Sequence, residues 1–384
     1  MRATHYSPLT THHSPLTLLL TALLTWLLLP IQSPAAESDE LARILEQGYA
    51  PGELILKLNE SRRGKAAPFT GSLERLHQSF GVTAQHELFP GNVPVRKAGK
   101  IVPQSALQGI YRLRLDPDAD VEQAASAYQA DPSVLYAQPN YLMRDCGLRN
   151  ADCGLKPPKS AILPKCEVDN PKSEIRNPKL SISPNDPRYS DQWALPKLGW
   201  DRIFTHAQTF QEVLVAIVDS GVDYDHEDLV ERIWINQAEL DGIEGVDDDG
   251  NGYVDDIRGW DFTDAPTLPG IGDYVVRDND PMDESGHGTH VAGIVGAASD
   301  NGKGIAGIAP NARLMCLRAG LRLSIGGFLE DDDVASAIVY AADNGARVIN
   351  MSWGDPRRSP LIRDVIRYAA HQGCVLVAAA GNEG

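Results

Sequence analysis

The stretch VLVAIVDSG, residues 213–221, is a run of six apolar residues that ends on Asp219 and a Ser-Gly pair. Apolar residues at successive positions, rather than at alternate ones, are typical of a strand that is covered on both faces of a parallel sheet. Three further apolar runs follow, at residues 312–317, 346–351 and 374–380. Helical patterns lie between the runs, at residues 287–298 and 333–344. This alternation predicts an α/β fold with a parallel sheet and helices on both faces.

The composition narrows the class of protein. A length of 384 residues predicts two or three domains. There are 35 Lys and Arg residues against 52 Asp and Glu residues, which gives a formal net charge of −17. An acidic balance of this kind argues against nucleic acid as the main partner and favours a soluble protein that binds cations.

The N-terminal segment, residues 1–35, has the pattern of a secretory signal peptide. It contains the apolar stretch LTLLLTALLTWLLLPI, followed by small residues and then by acidic ones. We therefore predict a secreted protein without a stable membrane span. The alternative is a membrane anchor, which is disfavoured because the stretch is short and Pro30 interrupts it.

Three further segments follow the predicted signal peptide. Residues 36–141 carry strand and helix patterns in the order β-α-β-β-α-β, if a weak strand at 85–89 is counted, and this order predicts a small ferredoxin-like α+β domain. Residues 142–184 are rich in Pro, Lys, Asn and Ser and predict a low-complexity linker. The apolar runs all lie in the remaining segment, residues 185–384.

The five cysteines do not predict a disulfide framework, because their number is odd. Cys146, Cys153 and Cys166 lie in the polar linker, where pairing between them stays open. Cys316 and Cys374 lie within apolar runs and are predicted to be buried thiols.

Three polar residues stand at the ends of predicted elements. Asp219 follows a buried strand, where it either caps a turn or orients a histidine. His287 begins a helix that is rich in glycine and alanine, which predicts very close packing against a strand, because each helical glycine costs up to about 1 kcal/mol. Asn382 follows the last apolar run and is either a turn residue or a donor to an oxyanion.

Together these residues resemble the subtilisin-like serine proteases, the subtilases. The segments that carry the resemblance are VDSGVD (218–223), HEDL (226–229), HGTHVAG (287–293), NMSWG (350–354) and AAGN (379–382). Their order also matches, because the triad of subtilisin runs Asp, His, Ser along the chain. The resemblance covers residues 185–384 as the N-terminal part of a catalytic domain and residues 36–141 as a propeptide.

The resemblance implies a secreted serine endopeptidase, a hydrolase that cleaves protein or peptide substrates through an acyl-enzyme. Asp219 would orient His287, which would act as general base and then as general acid. Asn382 would donate a hydrogen bond to the oxyanion. The protein's own propeptide would bind in the cleft as an intramolecular inhibitor, which makes the chain a zymogen.

The resemblance also implies a substrate pocket for the residue that precedes the scissile bond. Its lining would be Ser352, Trp353 and Gly354. Trp353 is larger than the aliphatic residue that the family pattern has at this position. We expect it to narrow or flatten the pocket.

The family's nucleophile is a serine in a Gly-Thr-Ser motif, and this motif does not occur in the 384 residues. We therefore expect a fragment truncated before the serine, which is inactive alone. The first alternative is a non-catalytic subtilase-like binding protein, a pseudoprotease. The second is a zinc hydrolase that uses His287 and His290, disfavoured because no His-Glu-x-x-His motif is present.

A second motif, DDDGNGYVDD at residues 247–256, predicts a structural calcium site. Oxygen side chains alternate along it and a glycine follows, as in an EF-hand loop, although Arg258 replaces the final glutamate. The predicted ligands are Asp247, Asp249, Asn251 and Asp255, with either Asp255 or Asp256 in place of the missing glutamate. A solvated acidic turn is the alternative. By resemblance alone, Asp186, Asp228 and Asn301 match a second calcium site of subtilases.

One acidic run, Glu330-Asp331-Asp332-Asp333, has two interpretations. It would favour basic substrates if it borders the cleft. More often such a run begins a helix, where acidic side chains interact favourably with the helix dipole.

Overall fold

The computed structural model describes residues 34–90, 95–97, 100–102, 107–146, 183–202, 204 and 210–382. The predicted signal peptide, except for its last two residues, and most of the predicted linker with Cys153 and Cys166 lie outside the described residues. The chain divides into two compact units, Met1–Arg43 and Ile44–Gly384. Helix α1, Pro34–Gln47, contains the boundary between them. None of the helices in the described part of the chain is both long enough and apolar enough for a membrane crossing.

Residues 49–146 form what we call the N-terminal module. Its strands are β1 (Tyr49–Leu58), β2 (Ala84–Glu87), β3 (Val95–Lys97), β4 (Lys100–Val102), β5 (Ile110–Arg114) and β6 (Val134–Asp145). Strands β6, β1, β5 and β2 lie side by side in this order, and all neighbours are antiparallel. Among the described residues, strands β3 and β4 pair only with each other.

Two helices, α2 (Ser72–Ser79) and α3 (Val121–Gln129), complete the N-terminal module. Leu73 of α2 and Tyr128 of α3 pack with Leu54 and Leu56 of β1 in one buried cluster. The side chain of Asp120 accepts a hydrogen bond from the backbone N–H of Gln123 at 2.9 Å and so caps the start of α3. The predicted ferredoxin-like β-α-β-β-α-β order is therefore confirmed.

Residues 183–382 form the C-terminal module, which is built on a parallel sheet. Its strands are β7 (Val213–Asp219), β8 (Gly259–Asp261), β9 (Ala312–Arg318), β10 (Gly320–Leu323), β11 (Gly326–Glu330), β12 (Val348–Met351), β13 (Trp353–Gly354) and β14 (Val375–Ala378). Its α-helices are α4 (Ala194–Leu198), α5 (Gln237–Leu240), α6 (His287–Gly296), α7 (Asp331–Asp343) and α8 (Pro360–His371). The parallel sheet has the order β14-β12-β7-β9-β8.

Helices cover both faces of this sheet, as predicted. Side chains of β7 alternate between two buried clusters: Ala216 packs with Ala335 of α7 on one face, and Ile217 packs with Val291 of α6 on the other. This arrangement explains why the run VLVAIV has no polar position. Cys316 and Cys374 are buried, as the sequence predicts.

Strand β6 is longer than predicted. The local pattern predicts a short strand at residues 134–136, but β6 continues to Asp145, four residues into the segment predicted as a linker. Its second half pairs with two strand edges of the C-terminal module: Met143 faces Leu329 of β11, and Asp145 faces Trp353 of β13. The extension depends on distant partners, so local sequence does not reveal it.

Candidate active site

The site begins with a histidine and a carboxylate that come from neighbouring elements. Asp219 ends β7, and His287 is the first residue of α6. Nδ1 of His287 lies 2.6 Å from Oδ1 of Asp219, and both side chains are buried. The backbone N–H of Ser220 also donates to Oδ1 of Asp219, at 2.8 Å. The carboxylate thus fixes one ring nitrogen and leaves the other for chemistry.

Glycine at position 288 is what allows this approach. A Cβ at Gly288 would lie 2.0 Å from the carbonyl oxygen of Gly221 and 3.1 Å from Cβ of Asp219. Any other residue would push the start of α6 away from the end of β7. The close helix–strand packing that the glycine-rich composition predicts is present at this contact.

Asp283, which the sequence patterns above did not single out, holds the loop before α6. Its Oδ1 accepts hydrogen bonds from the backbone N–H groups of Ser285 and Gly286 and from the hydroxyl of Ser220. Its Oδ2 accepts from the backbone N–H and hydroxyl of Thr289. This role of Asp283 could have been predicted from the sequence, because Asp283 begins an Asp-x-Ser-Gly turn directly ahead of His287.

The surroundings of the pair act on the pKa of His287 in opposite directions. Burial works to lower the pKa of His287, but the hydrogen bond and the charge of Asp219 outweigh it, and Asp145 and Asp283 act in the same direction. The pKa of His287 therefore lies above its ordinary value of 6.5. His290, three residues further along α6, has its pKa lowered by burial.

The end of β6 lies in the cleft beside this pair. The backbone N–H of Cys146 donates to the carbonyl oxygen of Ser352 at 2.9 Å. The carboxylate of Asp145 lies so close to Gly327 that a Cβ there would come within 2.2 Å of Oδ2. The chain is thus held as an extended strand between β11 and β13 as it approaches His287.

The predicted pocket residues follow the end of β12, on the same edge of the sheet as Asp219. Nε1 of Trp353 donates to the carbonyl oxygen of Val218 at 2.8 Å, so the indole packs against β7. The ring also lines a cavity of about 610 Å³ with Tyr141 and Met143 of β6. Gly354 pairs with Arg144. The effect of Trp353 on substrate preference stays a prediction.

Asn382 lies four residues beyond the end of β14. Strands β14 and β7 both pair in parallel with β12, with Ala378 and Val218 opposite Met351. Asn382 and Asp219 therefore follow strands that end at the same edge of the sheet. This is the edge where open α/β sheets bind ligands.

The predicted calcium loop is a dense set of turns. Asp247 accepts hydrogen bonds from the backbone N–H groups of Gly250, Asn251 and Gly252, and Asp255 accepts from that of Gly245. Carboxylate oxygens of Asp249, Glu239 and Asp256 lie within 4.8 Å of one another, and Asn251 donates to both aspartates. Glu239 is thus an additional candidate ligand beside Asp256, and the predicted set stays a prediction.

The second predicted calcium set comes together from three distant segments. Asp186 accepts hydrogen bonds from the backbone N–H groups of Asp300 and Asn301. The side chain of Asn301 donates to Oδ1 of Asp228 at 2.8 Å, and Asp228 also accepts from the backbone N–H of Ile305. Both aspartates are buried. Whether they bind calcium stays a prediction.

The acidic run 330–333 begins helix α7, which agrees with one of its two interpretations. All four residues are buried, however, and Asp331 and Asp332 bond to the N-terminal module rather than facing solvent. Arg112 of β5 donates to Asp332 at 2.7 Å, and Gln138 of β6 donates to Asp331 at 2.9 Å. The sequence patterns did not predict this interface.

Comparisons with known proteins agree with this geometry. The model of the subtilase family, Peptidase S8, matches residues 211–384, and the model of the fervidolysin N-terminal prodomain matches residues 36–140. The thermophilic serine proteinase of Bacillus sp. (strain AK1) is 33% identical over 270 residues, which are 69% of this chain and 48% of that protein. Thermitase of Thermoactinomyces vulgaris is 34% identical over 203 residues, 53% of this chain and 59% of thermitase.

The chain thus spans about half of the length of these relatives. Among solved structures, fervidolysin from Fervidobacterium pennivorans, a keratinolytic enzyme related to subtilisin, superposes with a TM-score of 0.53 at 21% identity. The superposition covers 88% of this chain and 40% of fervidolysin, and it shows a shared fold. Residues 211–384 therefore belong to the subtilase family, and residues 36–140 belong to the fervidolysin-type prodomains.

Proposed function

We propose that the protein is the precursor of a secreted serine endopeptidase. The observation that carries the proposal is the buried Asp219–His287 pair, with its 2.6 Å hydrogen bond, beside a cleft that already holds an extended chain. In this proposal Asp219 orients the imidazole, and His287 takes the proton of a serine hydroxyl and returns it to the leaving amine. Asn382 donates to the oxyanion.

The N-terminal module supplies the inhibitor in this proposal. Residues 142–145 pair with both edges of the cleft, and the backbone N–H of Cys146 binds the carbonyl oxygen of Ser352. A protein substrate would use the same main-chain groups, so the module excludes it. The bond after Cys146 is the next peptide bond beyond the last main-chain contact that the described residues make with the cleft. We therefore place the maturation cleavage between Cys146 and Gly147.

The serine itself belongs to the proposal, because no Gly-Thr-Ser motif occurs in residues 1–384. The test is to clone the gene beyond codon 384 and to treat the secreted product with a fluorophosphonate probe, which labels activated serines. We expect labelling and hydrolysis of casein by the longer product, and neither by the 384-residue chain. A longer product that binds casein but is not labelled would favour the pseudoprotease instead.

Calcium is the proposed structural ligand of the loop 247–256. Support comes from the carboxylate oxygens of Glu239, Asp249 and Asp256, which lie within 4.8 Å of one another. In the same proposal Asp186, Asp228 and Asn301 provide a second site. Calcium when bound would neutralise the clustered charge and hold the turns, and it would take no part in peptide hydrolysis.

We expect calcium to raise the unfolding temperature of the chelator-treated chain by several degrees, because it binds the folded state. Asp249→Asn should reduce this gain, whereas Asp118→Asn, an exposed change on the N-terminal module, should not. Differential scanning calorimetry in EDTA and in calcium measures both. An unfolding temperature that calcium leaves unchanged would contradict the proposal.

A further inference from the structure

A group of three buried carboxylates lies between the two modules. Glu53 belongs to β1 of the N-terminal module, whereas Glu330 ends β11 and Asp332 lies in the first turn of α7. All three side chains are fully buried. Each offers a carboxylate oxygen, and these oxygens all lie within 4.8 Å of one another.

The hydrogen bonds of the group are unevenly distributed. Nδ2 of Asn140 donates to Glu53 at 3.0 Å and to Asp332 at 2.7 Å. Arg112 donates to Asp332 at 2.7 Å, and Arg114 donates to Glu53 at 3.3 Å. Neither carboxylate oxygen of Glu330, by contrast, has a hydrogen-bond partner among the described residues.

Charge is also out of balance around Glu330. Asp264 and Asp333 adjoin the group, and Arg112 and Arg277 are the cations that bridge to these aspartates and to Asp332. Burying carboxylates without matching positive charge costs several kcal/mol per ion. Glu330 is buried among these carboxylates, and neither of its oxygens has a hydrogen-bond partner among the described residues. This combination indicates that a positively charged group binds there.

We propose that Glu53, Glu330 and Asp332 bind a divalent cation, calcium by their ligand chemistry, at the contact between the two modules. Calcium takes oxygen ligands at roughly 2.3–2.6 Å, so oxygens that share one ion lie no more than about 5 Å apart, and the three carboxylate oxygens meet this condition because they lie within 4.8 Å of one another. Glu330 can offer both oxygens, as the bidentate ligands of calcium sites do.

The ion would join the two modules, because Glu53 comes from one and Glu330 and Asp332 come from the other. The site is separate from the loop 247–256 and from the set at Asp186. The inference rests on the docking of the N-terminal module and not on the proposed peptidase activity, so each can fail without the other.

The test counts bound calcium ions by isothermal titration calorimetry on the chelator-treated 384-residue chain. Glu330→Gln is nearly isosteric and removes the ligand charge, so we expect it to bind one ion fewer than the wild type. Glu53→Gln should lose the same ion, and the double variant should lose no more than either single variant. Asp118→Asn, an exposed change on the N-terminal module, serves as the control and should bind as many ions as the wild type. Asp249→Asn should weaken a different site, so its effect on the ion count should add to that of Glu330→Gln.

Thermal unfolding gives a second readout. In EDTA, Glu330→Gln should unfold at a higher temperature than the wild type, because it removes an uncompensated buried charge. Saturating calcium should reduce or reverse this difference. The proposal is overturned if Glu330→Gln and the wild type bind the same number of ions, or if calcium raises both unfolding temperatures equally. Those results would mean that protons alone neutralise the group.

Discussion

In the proposed longer product with its serine, replacing His287 by alanine is expected to lower kcat/KM for peptide substrates by at least about 10⁴-fold. In subtilisin the effect is larger still, since loss of the triad histidine lowers kcat by about 2 × 10⁶-fold. The physical reason is that no other described group within reach of Asp219 accepts the serine proton. Steady-state hydrolysis of a chromogenic peptide measures the loss.

His290→Ala is the matched control, since His290 lies one turn further along the same helix and its Nδ1 has no partner among the described residues. We expect kcat/KM to change by less than about tenfold there, because His290 makes no contact with Asp219. A comparable loss in the two variants would contradict the assigned roles. Circular dichroism shows whether both variants remain folded.

The second prediction is a large loss of folding stability on replacing Arg112, which connects the two modules. Its guanidinium binds both carboxylate oxygens of Asp264 at 2.5 Å and Asp332 at 2.7 Å, with only 7% of its side chain exposed. Arg112→Ala would remove the closer of the two cations that bridge Asp264 and Asp332, and would leave only Arg277, at 3.1 Å and 3.5 Å. We expect the free energy of unfolding to fall by about 3–5 kcal/mol, the usual cost of breaking a buried pair from one side.

Arg114→Ala is the control for that loss, since Arg114 lies on the same strand, is 37% exposed and reaches Glu53 at 3.3 Å. Its removal should cost about 1 kcal/mol or less, as for other partly exposed ion pairs. Urea denaturation in EDTA, followed by tryptophan fluorescence, compares the two variants. Equal losses would show that Arg112 does not hold the modules together.

Much of the fold follows from local patterns. The unbroken apolar run before Asp219 predicts a buried parallel strand, and the alternating helices predict the layers on both faces. The glycine at position 288 predicts the close approach that places His287 against Asp219, and the cap at Asp120 follows from side-chain chemistry alone. These features depend on residues close together in sequence.

The interface between the modules could not be predicted in the same way. Strand β6 continues to Asp145 because β11 and β13, which lie far along the chain, present edges with which it pairs. The run 330–333 has the pattern of a solvated helix start, yet it is buried by Arg112, Gln138 and Asn140 of the other module. Neither the extension of β6 nor the burial of the run 330–333 can be recognised from neighbouring residues. Each depends on contacts between segments that are far apart along the chain.

The N-terminal sequence of the processed protein tests most directly whether the end of β6 is the first substrate of the site. The longer gene product should be secreted as a precursor and cut between Cys146 and Gly147, giving a mature chain that starts at Gly147. The His287→Ala form should remain uncut. A mature chain that starts at another residue, or the same cut in His287→Ala, would contradict the assignment of the cleft and of its catalytic histidine.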